Sequence, residues 1–232
     1  MFRIAHISDL HLDFNLAPSW RQLAGKRAIG YQNWRFRRRR QHQRRILDRL
    51  MADLTAQNPD HIVVTGDLVN LALPGEFAAA ADWLRALGLP DRISVVPGNH
   101  DAYAPVPFER SIGQWRDFMS SDAAMRDWFA GSEGIFPYVR VREGVALIGL
   151  NSAVPSPPMM AYGKLGRGQV ERLGVILRRL AKDDLFRIVM VHHPPISAGA
   201  ARWNQLLDDK ALQAVLKSNG AELVLHGHLH RR

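Results

Sequence analysis

Short apolar runs of β-favouring residues alternate with amphipathic stretches along this chain. Residues 2–7, 61–65, 92–96, 186–191 and 222–225 have the near-continuous hydrophobicity of strands buried on both faces. Between them, Ile46, Leu47, Leu50, Met51 and Leu54 recur at the three-and-four spacing of a buried helix face. That segment is predicted to turn helical near Phe36 and to stop at Asn58-Pro59. Pro74-Gly75-Glu76 opens an alanine-rich helix to about Leu87, with Gly88 in the capping position. Val170, Leu173, Ile176, Leu177 and Leu180 mark another amphipathic helix, and residues 208–219 a further one that stops at Gly220.

The centre is less regular. Residues 108–118 and 123–130 are expected as two short helices, and 135–141 and 145–150 as strands joined by a turn at Glu143-Gly144. Pro155-Ser156-Pro157-Pro158 precludes regular structure just beyond them. Residues 12–34 lack sustained periodicity and contain Pro18, Gly25, Gly30, Trp20, Tyr31 and Trp34, which predicts a loop or flap. The alternation predicts an α/β sheet with helices on both faces and strand ends gathered at one edge, with two stacked sheets as the other arrangement it allows.

A chain of 232 residues, 47% of them hydrophobic, can bury one substantial core, so residues 1–232 are expected as a single domain. The absence of cysteine excludes disulfides and thiolate metal sites. Met1-Phe2-Arg3-Ile4 enters strand-like sequence at once, without the pattern of an export signal, and no run of about 18 apolar residues occurs. A cytoplasmic protein is the expectation, with peripheral contact at the inner face of a membrane as an allowed extension. The formal charge of +9 calls for an anionic partner: a phosphorylated metabolite, nucleic acid or an acidic lipid surface. Much of the excess lies in Arg35, Arg37, Arg38, Arg39, Arg40, Arg44, Arg45 and Arg49, so residues 12–45 are read as an arginine-rich flap or cap. A solvated helix face explains the arginine run more simply; bidentate phosphate binding is the alternative.

Candidate chemistry sits just past the five apolar runs. The clusters are Asp9-Leu10-His11, Gly66-Asp67, Gly98-Asn99-His100-Asp101, His192-His193-Pro194 and His226-Gly227-His228-Leu229-His230. Five buried strands would deliver them to one rim. Carboxylates, an amide and imidazoles without thiolate suit a pair of first-row divalent metals better than a structural zinc.

In this order the clusters resemble the calcineurin-like metallophosphoesterases over nearly the whole chain. Any one fragment is weak, but five in sequence are specific. The resemblance implies a four-layer αββα sandwich. It implies that Asp9, His11, Asp67 and His230 hold one metal and that Asp67, Asn99, His192 and His228 hold the other, with Asp67 bridging. The donor set accepts manganese, iron, zinc, nickel or cobalt. A water between the metals would ionise and attack phosphorus in line. His100 is the candidate to protonate the departing oxygen, because imidazole titrates near neutrality and the family's equivalent histidine contacts phosphate. Asp101 is expected to hold the His100 ring or raise its pKa. His193 and His226 stand between structural roles and hydrogen bonding to a ligand or substrate; if residues 226–230 are extended, alternation alone leaves His226 open as a ligand. His6, His42 and His61 are assigned to core or surface.

The activity so implied is a phosphodiesterase acting on a small anionic diester such as a cyclic nucleotide. Alternatives are a UDP-diacylglucosamine-type pyrophosphohydrolase at a membrane surface, a nuclease, or a non-catalytic scaffold. Nucleic acid is not favoured, for want of a recognition module, and the complete ligand set argues against the scaffold. The sequence stops two residues after His230, where family members usually continue into further strands, so it is expected to be either a minimal variant or a fragment.

Overall fold

The computed structural model describes residues 1–13, 18–23, 25–34, 44–126, 128, 134–196, 199 and 201–230. Among these residues the strands form two sheets. In the first, β1 (Ile4–Ile7), β2 (His61–Val64) and β3 (Ile93–Val95) pair in parallel, with Ile4 opposite His61 and Ile62 opposite Ile93. In the second, β4 (Tyr138–Arg142) and β5 (Val145–Gly149) form an antiparallel hairpin, and β6 (Phe186–Met190) and β7 (Leu223–Leu225) extend it in parallel. The helices are α1 (Lys26–Asn33), α2 (Arg44–Gln57), α3 (Pro74–Leu87), α4 (Ala123–Arg126), α5 (Arg167–Leu180) and α6 (Asp209–Asn219).

Period-two alternation along the second sheet separates two apolar faces. Tyr138, Leu147, Ile188 and Met190 point into a core shared with Val63, Val95, Phe77 and Leu84 of the first sheet and α3. Val139, Ala146, Ile148, Val189 and Val191 face the opposite way, against Leu173, Ile176, Leu177 and Leu180 of α5 and Leu212 of α6. Each fully buried aliphatic or aromatic side chain here contributes roughly 1.5–3 kcal/mol through lost water contact. Helices, sheet, sheet and helices give the αββα sandwich.

Tyr138 fastens the two sheets. Its hydroxyl donates to the Val95 carbonyl at 2.8 Å, and burial pushes its pKa up to about 12, so the donor proton stays in place. The ring fits because its partner across the hairpin is Gly149, where a Cβ would overlap it. Arg140, 3% exposed, gives its guanidinium protons to the carbonyls of Pro90, Ile93, Asp117 and Ser120 and so closes the far end.

Several expectations change. Residues 12–34 are not simply a loop, because α1 forms within them. Residues 112–119 are a 3-10 helix rather than an α-helix: Trp115 and Phe118 are buried and recur, with partly buried Ile112, at intervals of three, the period of that tighter winding. Of the expected 123–130 helix, the described residues are α4 and Trp128, which lies outside the α-helix. The predicted helical start near Phe36 and Arg35, Arg37, Arg38, Arg39, Arg40 and His42 lie outside the described residues, while Arg45 and Arg49 are exposed on α2. Ile46 is 60% exposed and not on the buried face, which Leu54 anchors. Among the described residues no helix is long and apolar enough to cross a membrane.

Candidate metal centre

The five clusters meet where the two sheets share an edge. Asp9 and His11 follow β1, Asp67 follows β2, Asn99, His100 and Asp101 follow β3, His192 follows β6, and His228 and His230 follow β7. The single rim expected from sequence is therefore a seam between two sheets. Three strands of one and two of the other supply it.

Aiming these side chains inward bends the backbone. Asp9, His11, Asp67, His228 and His230 have φ of 57°, 44°, 57°, 73° and 49°, the left-handed region that costs a non-glycine residue about 1 kcal/mol or more. Interstrand hydrogen bonds hold the turns: Asp9 N–H to Gly66 O at 3.0 Å, His11 N–H to Asp67 O at 2.9 Å, and Gly227 N–H to His192 O at 3.0 Å. Gly98 and Gly227 leave the space that the carboxylates fill, since a Cβ on Gly98 would overlap Asp67 and one on Gly227 would overlap Ser8 and crowd Asp9. Residues 226–230 are thus a bent turn, not an extended strand, and the alternation argument for His226 fails. His226 is exposed and lies near His6, whose pKa burial lowers first and the His226 charge second.

Asp67 is central and 2% exposed. Its Oδ2 stands 3.7 Å from His11 Nε2 and 3.6 Å from His192 Nε2, while Oδ1 accepts the His100 N–H at 2.7 Å. His230 Nε2 is 3.5 Å from Asp9 Oδ1, and the Asp9 carboxylate also accepts the His228 N–H at 2.9 Å. Three donor groups lie within 4.8 Å internally: Asp9, His11 and His230; His11, Asp67 and His100; Asp9, Asp67 and His192.

The imidazoles are held with defined tautomers. His192 Nδ1 meets the Thr65 carbonyl at 2.6 Å and His228 Nε2 meets the Asn204 carbonyl at 2.9 Å; a carbonyl only accepts, so both ring nitrogens donate. In neutral rings the opposite nitrogens are then lone pairs. Both face Asn99 Oδ1, at 3.1 Å from His192 Nε2 and 2.8 Å from His228 Nδ1. Burial, and then the charge of His192, lower the His228 pKa to about 4, which keeps that ring neutral at pH 7. Three acceptors converging on one point repel one another unless a cation lies among them, so the residues fit a metal.

Asp101 departs from its expected role. Its carboxylate accepts the N–H groups of Asp67, Leu68, Val69 and Gly98 at 2.8–3.0 Å, while the His100 ring is oriented instead by the Asn70 carbonyl, 2.6 Å from Nδ1. Burial and the neighbouring Asp67 charge push the Asp101 pKa up to about 7, against the pull of its backbone hydrogen bonds. His193 is fully buried; Nδ1 meets Ser152 Oγ at 2.8 Å, Nε2 meets Ala161 O at 3.1 Å, and its ring packs 4.5 Å from that of His228. It supports a neighbour of the centre rather than joining it. Asn70, Thr65 and Asn204 were missed in the sequence because each acts through a backbone carbonyl, which every residue possesses. His61 is buried against Ser94, as a core assignment requires.

A sequence model of the calcineurin-like phosphoesterases matches residues 2–232. The chain belongs to the calcineurin-like phosphoesterase family. It is 26% identical over 185 residues to a probable cyclic nucleotide phosphodiesterase of Synechococcus sp., covering 78% of this chain and 62% of that protein. It is 29% identical over 176 residues to a cAMP/cGMP dual specificity phosphodiesterase of Mycobacterium tuberculosis, covering 74% of this chain and 49% of that protein. The chain thus spans about half to three-fifths of the length of these relatives. The fold is similar to the crystal structure of a dimetal phosphatase from Danio rerio, with a TM-score of 0.57 and 14% identity over 99% of this chain and 82% of that one. This calcineurin-like phosphoesterase chain therefore places its family motifs at the seam of the sandwich.

Proposed function

We propose that this chain hydrolyses a small phosphodiester, a cyclic nucleotide being the favoured class, with two divalent metals held by Asp9, His11, Asp67 and His230 and by Asp67, Asn99, His192 and His228. The observation that carries the reading is the convergence of lone-pair donors on both sides of Asp67 Oδ2 and around Asn99 Oδ1. When bound, the metals supply Lewis acidity toward the phosphoryl oxygens and a water that ionises near neutral pH. The relatives' names favour a cyclic nucleotide among diesters.

The chain's own residues supply the rest. Asn99 contributes an oxygen without charge, which preserves the electrophilicity of its site. The Thr65 and Asn204 carbonyls fix the His192 and His228 rings so that the donor nitrogens need no reorientation. His100 gives its Nδ1 proton to Asn70 O, so a proton on Nε2 makes the acid form that delivers it to the departing ester oxygen as the P–O bond breaks.

Purified protein supplied with manganese should cleave a chromogenic phosphodiester, and Asp67→Ala should abolish cleavage. Metal-loaded protein inert toward monoesters, linear and cyclic diesters and nucleotide pyrophosphates would restore the scaffold reading.

A further inference from the structure

Helix α1 is tied to both halves of the sandwich by consecutive residues. Arg27 donates to the carbonyls of Leu71 and Ala72 at 3.0 and 2.7 Å, in the loop after β2. Lys26 donates from Nζ to Ser156 Oγ at 2.9 Å and Met160 O at 3.2 Å, in the loop after β5. The helix lies close enough to its support that a Cβ on Gly30 would overlap Tyr103 and Leu71, and the Tyr103 hydroxyl meets Lys26 O at 3.4 Å. A clasp of this kind encloses space. Beneath α1 a cavity of about 220 Å³ reaches inward to Asn99 and His100. That is smaller than the roughly 300–1,000 Å³ of a site for a whole small molecule, and suits one part of a ligand whose remainder lies at the metal centre.

Its chemistry is selective. Trp34, Tyr103, Met159 and Met160 offer flat or soft apolar surface, and Lys26 and Asn33 offer a few polar groups. Met159 and Met160 are 81% and 41% exposed, thioether surface that a bound group would cover. Lys26 spends two ammonium donors on Ser156 and Met160, and its Nζ also lies 4.4 Å from the Tyr103 ring centre, a weak contact that a better acceptor would displace. Tyr103 stacks on His100 with centroids 5.3 Å apart and planes at 16°, so whatever presses on this wall also settles the ring assigned to the leaving group. Apolar faces with a few donors at the edge suit a planar heterocycle better than an acyl chain, which has no acceptors to offer.

We infer that the cavity beneath α1 is a subsite for the base of a nucleotide diester, with Lys26 and the Met159 surface selecting for it; this rests on the phosphodiesterase reading above. Base binding positions the ester bond beside His100, and the α1 clasp holds the wall of the cavity in place.

Two measurements test it. The first is the ratio of kcat/KM for adenosine 3′,5′-cyclic phosphate to that for propane-1,3-diol cyclic phosphate, which has the ring phosphate and no base, with manganese present. The second is equilibrium dialysis of adenosine against the metal-free protein. The expected result is a ratio of about ten or more, measurable adenosine binding, and a drop of at least fivefold in both for Lys26→Met and for Met159→Asp, the latter too exposed to disturb folding. Equal kcat/KM for the two diesters, or variants that change neither quantity, would overturn the subsite and leave the phosphodiesterase reading standing. Adenosine binding that the variants weaken, with no diester cleaved, would keep the subsite and sink the phosphodiesterase reading. Neither binding nor cleavage rejects both.

Discussion

Asp101 accepts the backbone N–H of Asp67 at 2.8 Å, and Asp67 accepts the N–H of His100 at 2.7 Å, so two acidic residues from different strands hold each other's loops. The arrangement extends along a buried loop. Asp101 also takes the N–H groups of Leu68, Val69 and Gly98, and Glu76 takes those of Asn70, Leu71 and Leu73. A loop excluded from water needs acceptors of its own, and two buried carboxylates provide them. Asn70, fixed in this way, gives its carbonyl to His100 and its amide to the Leu12 carbonyl.

Replacing Asp101 by Asn puts an amide donor among four backbone donors. Stability should fall by about 3 kcal/mol, read as a lower urea midpoint at unchanged m-value. An unfolding curve that overlays the wild type would mean that the loop is held by other contacts.

Gly98→Ala sets a methyl group against the Asp67 carboxylate and backbone. The expected cost is about 1–3 kcal/mol, with manganese affinity weakened at least tenfold as Asp67 is displaced. Calorimetric titration that returns the wild-type affinity would show the crowding to be harmless.

His100→Ala should lower kcat by about 10²- to 10⁴-fold, the usual contribution of a general acid, while metal content stays the same. The deficit should shrink for diesters with good leaving groups, which need no proton. An equal deficit for good and poor leaving groups would remove His100 from acid catalysis.

His61 sets a pH dependence away from the site. Burial, and then the charges of Arg140, Arg142 and Arg92, lower its pKa from 6.5 to about 3. The unfolded chain therefore binds the proton more readily than the folded one. The stabilisation is fully present above about pH 6.5 and is lost as pH falls toward 3, at up to about 1.4 kcal/mol per pH unit. His61→Gln, which preserves a partner for Ser94, should flatten this decline in urea unfolding between pH 6.5 and 5. Parallel declines in the two proteins would assign the acid sensitivity elsewhere.

The strands and most helices were legible in sequence because burial imposes a period, and the motif residues were legible because ligand chemistry admits few side chains. Asp67 and Asn99 announced themselves by type and spacing. The helical stretch in α1 was not legible, since its residues are held by Arg27 and Lys26 reaching distant carbonyls rather than by an apolar stripe. The task of Asp101 could not be read either: a carboxylate beside a histidine is the same string whether it holds the ring or the loop beneath it.

The order of side chains along the chain by itself determined the α/β character, the identity of the candidate ligands and the family. Tertiary structure alone decided that two sheets share the rim, that five candidate ligand residues take left-handed backbone, and that Thr65, Asn70 and Asn204 orient the imidazoles through their carbonyls. Local pattern records which side chains are present and how often they recur. Direction, register and the use of backbone groups common to every residue are fixed only when distant strands pack together.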